Sequence, residues 1–264
     1  MQSTLETFHF SSTSGPAGPA GHSNRVVALF DAFGTSTEAW KRRGFTTECY
    51  APTDTTDTTD TTDTTDTTDS TVLENIHALP SAPTSAELLQ IIGDAAFVLA
   101  FPPCKHICIA GLRWWKRKRA ANPDFQHDEI ERIKLLYRTL RSSKAPFALM
   151  IPKSHVLRNI DQHTPVTVSP HEFGGYTPDG VNPVHVDIPS NDAYQKRTSL
   201  FLGNRAILPL RWPVTPKLEA ITTKGGTKHV SPLFKSRKCK VRNVPPRGVC
   251  AAIAACNART TQNH

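Results

Sequence analysis

The run Ala95-Ala-Phe-Val-Leu-Ala-Phe101 is seven apolar residues in an unbroken row. A strand with one face in water alternates polar and apolar residues. One without alternation is covered on both faces, as in parallel sheets flanked by helices. The row is far shorter than the ~20 residues of a membrane-spanning helix. A central parallel strand is therefore the reading that most limits the fold.

The surroundings agree with it. Arg25-Val-Val-Ala-Leu-Phe30 is a second short apolar run, followed by a Gly-containing turn and a helical stretch over 36–43 that stops at Gly44. Residues 46–50 are β-rich, 72–76 suit a strand, and 85–92 read as a helix capped by Ser85. Residues 128–140 place Ile130, Ile133, Leu136, Tyr137 and Leu140 at helical spacing, and 147–151 form another apolar strand. Alternating strands and helices imply an α/β, doubly wound, Rossmann-like sheet whose ligands sit beyond the C-terminal strand ends. From 152 to 229 Pro, Gly and basic residues dominate, which fits an irregular, β-rich segment. An Ala-rich helix over 247–257 follows Val244-Pro-Pro246. The expected organisation is a disordered tail over 1–24 and an α/β core over 25–152. Remaining core strands and the irregular segment follow over 153–240, and a C-terminal helix over 241–264 returns to the core.

Within the core, 53–69 repeats a Thr-Thr-Asp triplet with no apolar residue before Val72. Such a tract buries nothing to offset its ordering entropy and reads as a solvated insertion. It lacks the glycines and large apolar residues of calcium-binding repeats. Its six Asp are unaccompanied by Lys or Arg, so the overall net charge of +8 conceals +14 on the remainder. That excess points to a polyanion, most simply nucleic acid. The start of the chain has neither the basic flank nor the apolar stretch of a signal peptide. Six cysteines without a CxxC pair read as reduced thiols of a cytoplasmic protein. Cys104, His106 and Cys108 are one ligand short of a structural zinc site, so no metal is expected.

Three places could carry chemistry. The turn Asp31-Ala-Phe-Gly-Thr35 follows the first strand, where backbone N–H groups at a helix start can hold a polar ligand. Gly34 is its only glycine, so taken alone it suits a structural turn better than a cofactor loop. Phe101-Pro-Pro103-Cys104 stands at the ligand edge of the buried strand, with two prolines stiffening the loop. Buried packing is the bland alternative for the cysteine. Its place after an apolar strand favours a nucleophile, with nearby cations lowering the thiol pKa. Arg113, Lys116, Arg117, Lys118 and Arg119 surround Trp114 and Trp115, a pattern suited to phosphate contact rather than a plain solvated face.

Ala28-Leu-Phe-Asp-Ala-Phe-Gly-Thr35, Pro102-Pro-Cys104 and Arg242-Asn-Val-Pro-Pro246 occur in the order of the motifs of DNA cytosine-5 methyltransferases. The chain resembles in particular the small phage-encoded DNA methylase-like proteins. Those also carry PPC-x-H followed by Arg-Trp, then a Phe-Gly…Lys-x-Thr stretch like Phe173-Gly174 and Lys196-Arg-Thr198. The resemblance covers most of 25–257 and is most specific in its middle. It implies a methyltransferase sheet binding S-adenosylmethionine at Phe30, Asp31, Gly34 and Thr35. It also implies a small target-reading segment around 153–230, a monomer, and DNA as partner in the cytoplasm of a bacterial host. Cys104, presented by Pro103, would attack C6 of a flipped cytosine so that C5 takes the methyl group.

Three positions depart from the family. Met150-Ile-Pro152 stands where the family has Glu-Asn-Pro, so the acid that protonates the ring is missing. General acid catalysis typically supplies ~10²–10⁴-fold. Glu48 is the nearest candidate for the carboxylate holding the cofactor ribose, and Asn75 stands where an Asp often meets the adenine. Two alternatives follow: a catalytically impaired relative that binds DNA without transferring methyl, or another C5 modification through the same cysteine adduct.

Overall fold

The middle of the sheet is built from strands whose residues are apolar on both sides. A computed structural model describes residues 23–52, 76–154, 156–177, 187–223, 226–231 and 243–258. The expectations for the N-terminal tail, the Thr-Asp repeat, the strand at 72–75, Asn75 and Arg242 lie outside the described residues. β1 (Arg25–Leu29) and β4 (Phe97–Ala100) run parallel, with Leu29 opposite Ala100. β2 (Thr46–Pro52), β3 (Ile76–Leu79) and β5 (Phe147–Pro152) extend the parallel part. The full order is β3-β2-β1-β4-β5-β7-β6, where β6 is Val166–Val168 and β7 is Thr198–Gly203. β7 is antiparallel to both of its neighbours.

Alternate residues of each strand enter two separate layers. Val27, Leu29, Val98, Ala100, Phe147, Leu149 and Ile151 join Leu88, Ile133, Leu136 and Leu140 on α2 (Ser85–Ile92) and α4 (Phe125–Ser142). Val26, Ala28, Phe97, Leu99, Ala148 and Met150 face the other way. They join Trp40 of α1 (Glu38–Lys41) and Val249 and Ile253 of α5 (Arg247–Asn257). Burying a side chain of this size contributes roughly 1.5–3 kcal/mol, so the two layers hold the sheet. α3 (Trp115–Ala121) buries none of its side chains, and β8 (Glu219–Thr223) with β9 (Gly226–Val230) forms a separate hairpin. Among the described residues no helix is long and apolar enough to cross a membrane.

Several local expectations change. The stretch at 36–43 begins as a 3₁₀ turn (Thr35–Thr37), and α1 itself is four residues long, ending before Gly44 at φ 82°. α2 is capped by Thr84 rather than Ser85. Thr84 and Glu87, three residues on, form a reciprocal capping box, while the Ser85 hydroxyl lies 2.9 Å from that of Thr139. The segment after β5 is less irregular than expected, because β6 and β7 complete the central sheet. The β7 residues Leu200 and Phe201 pair with Met150 and Leu149 and are buried.

α5 is fixed to the second layer by charged groups. Arg247 meets Glu38 at 3.1 Å, and the buried Asp192 carboxylate accepts the Gly248 N–H at 2.7 Å. Burial raises the Asp192 carboxyl to about 6, against a pull downward from that N–H and from Arg247. The folded chain thus holds this proton more tightly than the unfolded one, whose carboxyl titrates near 4. The contribution of Asp192 to stability therefore falls as pH rises from about 4 to about 6, then levels off. Asp192→Asn keeps an acceptor and has no charge to bury. Relative to the native chain it should gain on the order of 3 kcal/mol between pH ~4 and pH ~7 in urea unfolding. A constant difference across that range would contradict the buried-carboxylate account.

Candidate active site

β1 and β4 are neighbours, and their connections leave in opposite directions, which is the crevice where open α/β sheets bind ligands. Both candidate loops start there. The Phe101 N–H donates to the Leu29 carbonyl at 3.0 Å, so the Pro-Pro-Cys loop leaves the sheet beside the strand-one turn.

The turn is organised by Asp31. Phe30 takes a left-handed φ of 62°, rare outside glycine, and the Asp31 N–H donates to the Tyr50 carbonyl at 3.1 Å. The fully buried Asp31 carboxylate then accepts the N–H groups of Phe33 (2.9 Å), Gly34 (3.0 Å) and Ser36 (3.1 Å). It also accepts the Ser36 hydroxyl at 2.6 Å. The donors expected to meet a ligand are thus used within the turn. Gly34, at φ 67°, supplies the left-handed bend that lets the chain close on the carboxylate. Thr35 Oγ1 is buried and has no hydrogen-bond partner among the described residues. Thr35 lines a cavity of about 10 Å³ with Ser36, Thr177, Arg247 and Cys250, space for a single water.

Glu48 does not belong to this site. It lies opposite Val27, in the interior of β2, and its Oε2 accepts Arg25 Nη1 at 2.8 Å and the Tyr50 hydroxyl at 3.1 Å. Arg25 also donates to the carbonyls of Ile91 and Ile92, so the pair ties β1 and β2 to the end of α2. A carboxylate held in that way is structural, and the C-terminal end of β2 is Pro52.

The second loop is tightly folded. The Cys104 carbonyl accepts the N–H groups of Ile107 at 3.1 Å and Cys108 at 3.0 Å, a turn that brings the two thiols together. Cys108 forms an antiparallel bridge with Ser154, whose hydroxyl donates to the Ile107 carbonyl at 2.8 Å and accepts the N–H groups of Val156 and Leu157. The loops after β4 and β5 are thereby joined. Pro102 is buried, Pro103 exposed and Cys104 half-buried.

The electrostatics differ from expectation. The hydrogen bond with Cys108, burial, and the nearby Cys108 and Glu129 together push the Cys104 thiol well above its ordinary value; among these influences only Lys196 pulls it down. Lys118 donates to the Lys105 carbonyl at 3.3 Å and works with Lys105 and Arg132 on a buried pair behind the loop. In that pair His106 Nδ1 lies 3.5 Å from Glu129 Oε2. Burial, followed by those cations, lowers the His106 imidazole; burial raises the Glu129 carboxyl. Lys116, Arg117 and Arg119 are exposed, as is Trp114, whereas Trp115 is half-buried; Arg113 lies in the 3₁₀ segment before α3.

Met150 is buried with Phe173, Leu200 and Val249 in the α1–α5 layer, whereas Cys104 packs on the α2–α4 layer. Met150→Glu would therefore bury a carboxylate in apolar surroundings. Sequence reasoning passed over Glu129, although it lies four residues before Ile133 on the apolar stripe of α4, where a carboxylate is out of pattern.

If Cys108 holds the Cys104 thiol protonated, Cys108→Ala should speed alkylation of Cys104 by iodoacetamide near neutral pH, and Lys196→Gln should slow it. Peptide mass spectrometry gives both rates. A rate unmoved by Cys108→Ala would contradict the shared hydrogen bond.

No family model and no curated protein matches this chain.

Proposed function

We propose that the chain modifies cytosine in DNA at C5, with Cys104 as nucleophile and S-adenosylmethionine as methyl donor. One observation carries the reading. The strand-one turn and the Pro102-Pro103-Cys104 loop leave adjacent parallel strands at one edge of the sheet, so a donor on the first and a base on the second would be neighbours. The strand order supports it. The parallel part runs 3-2-1-4-5 as in a dinucleotide-binding sheet, whose ligands bind beside β1 and β4; the reversed β7 between β5 and β6 departs from that sheet.

The strand-one turn suits the amino-acid end of this cofactor in charge and polarity. Among the described residues the buried Asp31 carboxylate has N–H and hydroxyl partners and no cation, so its negative charge favours a cationic group nearby. Thr35 Oγ1 is a buried hydroxyl without a partner among the described residues. The cavity between turn and α5 takes only a water, so admitting the cofactor there requires α5 to part from the turn. Bound, the cofactor would supply an electrophilic methyl group.

The chain's own residues do the rest. Exposed Lys116, Arg117 and Arg119 hold phosphates and fix the register of the DNA without reading sequence. A cytosine flipped from the stack meets Cys104. The thiol gives up its proton to solvent and the thiolate adds to C6, which turns C5 into a nucleophile for the methyl group that a bound donor would supply, the demethylated thioether being the leaving group. Loss of the C5 proton to water and expulsion of the thiolate would then restore the aromatic ring. Lys196 is the cation that favours the thiolate.

The raised thiol and the apolar Met150 favour a second reading, a relative that binds DNA and transfers nothing. One experiment separates the two. DNA containing 5-fluorocytosine cannot lose its C5 substituent and traps the cysteine adduct. The native chain with the cofactor should form a slow covalent complex, Cys104→Ser none, and Cys108→Ser should still trap. Trapping that survives Cys104→Ser would move the nucleophile elsewhere; no trapping in any variant would leave the binding-only relative.

A further inference from the structure

Between β7 and β8 the chain crosses the surface as an extended strap, 207–218, interrupted by Pro209, Pro213 and Pro216. Hydrogen bonds hold it along its length. Asn257, at the end of α5, accepts the Ile207 N–H at 2.7 Å and donates to its carbonyl at 3.1 Å. The Tyr176 hydroxyl donates to the Leu210 carbonyl at 3.0 Å, and the Gly175 N–H to the Trp212 carbonyl at 2.9 Å. The Val214 and Lys217 N–H groups donate to the carbonyls of His171 and Ala193.

These bonds fix an aromatic ring in an unusual place. Trp212 lies against the Gly175 backbone so closely that a Cβ there would come within 2.4 Å of the indole, and Tyr176 meets it edge-on at 5.5 Å. The indole nevertheless remains 60% exposed, and Leu210, two residues earlier, is 82% exposed. Large apolar side chains held rigid yet left in water mark a binding surface. The charge around them is one-sided. No Asp or Glu occurs from Ala193 to Leu218, while Lys196, Arg197, Arg205, Arg211 and Lys217 do. Two carboxylates face this stretch from outside it: Glu172 lies 3.5 Å from Arg211, and Lys196 acts on the buried Asp192.

We infer that the strap is a nucleic-acid surface on which unpaired bases stack, with Trp212 as the platform and Arg205, Arg211 and Lys217 along the phosphates. A ring already held in one orientation loses little entropy when a base covers it. An aromatic face bordered by cations is the chemistry that takes single strands without regard to sequence. A protein partner would also cover Leu210 and Trp212, but a run from Ala193 to Leu218 with five Lys or Arg and no Asp or Glu favours a polyanion. The inference does not depend on methyl transfer: a chain with no transfer activity would still bind through this surface.

The test uses the full chain and a labelled oligothymidylate of about 16 nucleotides, a duplex of equal length, and an abasic oligomer, read by fluorescence anisotropy. Trp212→Ala should weaken oligothymidylate binding roughly tenfold, leave the abasic oligomer within about twofold, and keep the salt slope. Trp212→Phe should restore most of the affinity. Arg211→Gln with Lys217→Gln should weaken all three ligands and flatten the slope. Leu210→Ser, at the most exposed position, guards against misfolding and should weaken oligothymidylate alone. Equal losses on the abasic oligomer, or no loss from either Trp212→Ala or Leu210→Ser, would overturn the proposal. So would self-association in sedimentation that Trp212→Ala abolishes while oligothymidylate binding stays unchanged, since the patch would then be a contact between copies.

Discussion

The fold depends on β1, β4 and β5 being apolar on both faces, which obliges the chain to cover the sheet twice. α2 and α4 cover one face from nearby sequence. The other is left with α1, a single turn, and Trp40 cannot shield three strands by itself. The last helix must therefore come back across the molecule. α5 does so, with Val249, Ala252 and Ile253 against the sheet and Arg247 on Glu38. This return places the start of α5 over the strand-one turn. Closing the second layer therefore also narrows the space between the turn and α5 to about 10 Å³.

At the other side of the crevice, geometry and electrostatics pull in different directions. Ser154 and the turn at Cys104 hold the cysteine rigidly at the edge of β4, as covalent chemistry needs. Yet the same turn supplies Cys108, whose hydrogen bond is the leading influence pushing the Cys104 thiol up. Lys196, at the start of the reversed strand, is the counterweight. Lys118 of the basic helix α3, with Lys105 and Arg132, acts on His106 and Glu129. Proximity in sequence is thus a poor guide to which charge tunes which group.

The parts of the fold that sequence revealed are those whose pattern is local. The unbroken apolar row gave β4, the spacing of Ile133, Leu136, Tyr137 and Leu140 gave α4, and the Ala-rich stretch gave α5 within its observed bounds. The cap of α2 was also legible, since Thr84 and Glu87 stand three apart, but Ser85 is an equally good cap type one residue on. Core strands were expected within 153–240, but β7 could not be placed or oriented there, because strand reversal is a property of pairing with β5 and its six residues sit among prolines, glycines and cations. In the candidate site, the placement of Cys104 followed from strand polarity. Its raised thiol, the capture of Glu48 by Arg25 and the inward turn of Asp31 depend on residues distant in sequence or on backbone geometry that composition does not carry.

The account rests most directly on methyl transfer itself. The full chain would be incubated with S-adenosylmethionine labelled in the methyl group and with DNA of mixed sequence, and the DNA digested to nucleosides. The account predicts label in 5-methylcytosine alone, absent with Cys104→Ser. DNA that is bound but yields no labelled nucleoside, or label on any other base, would contradict it.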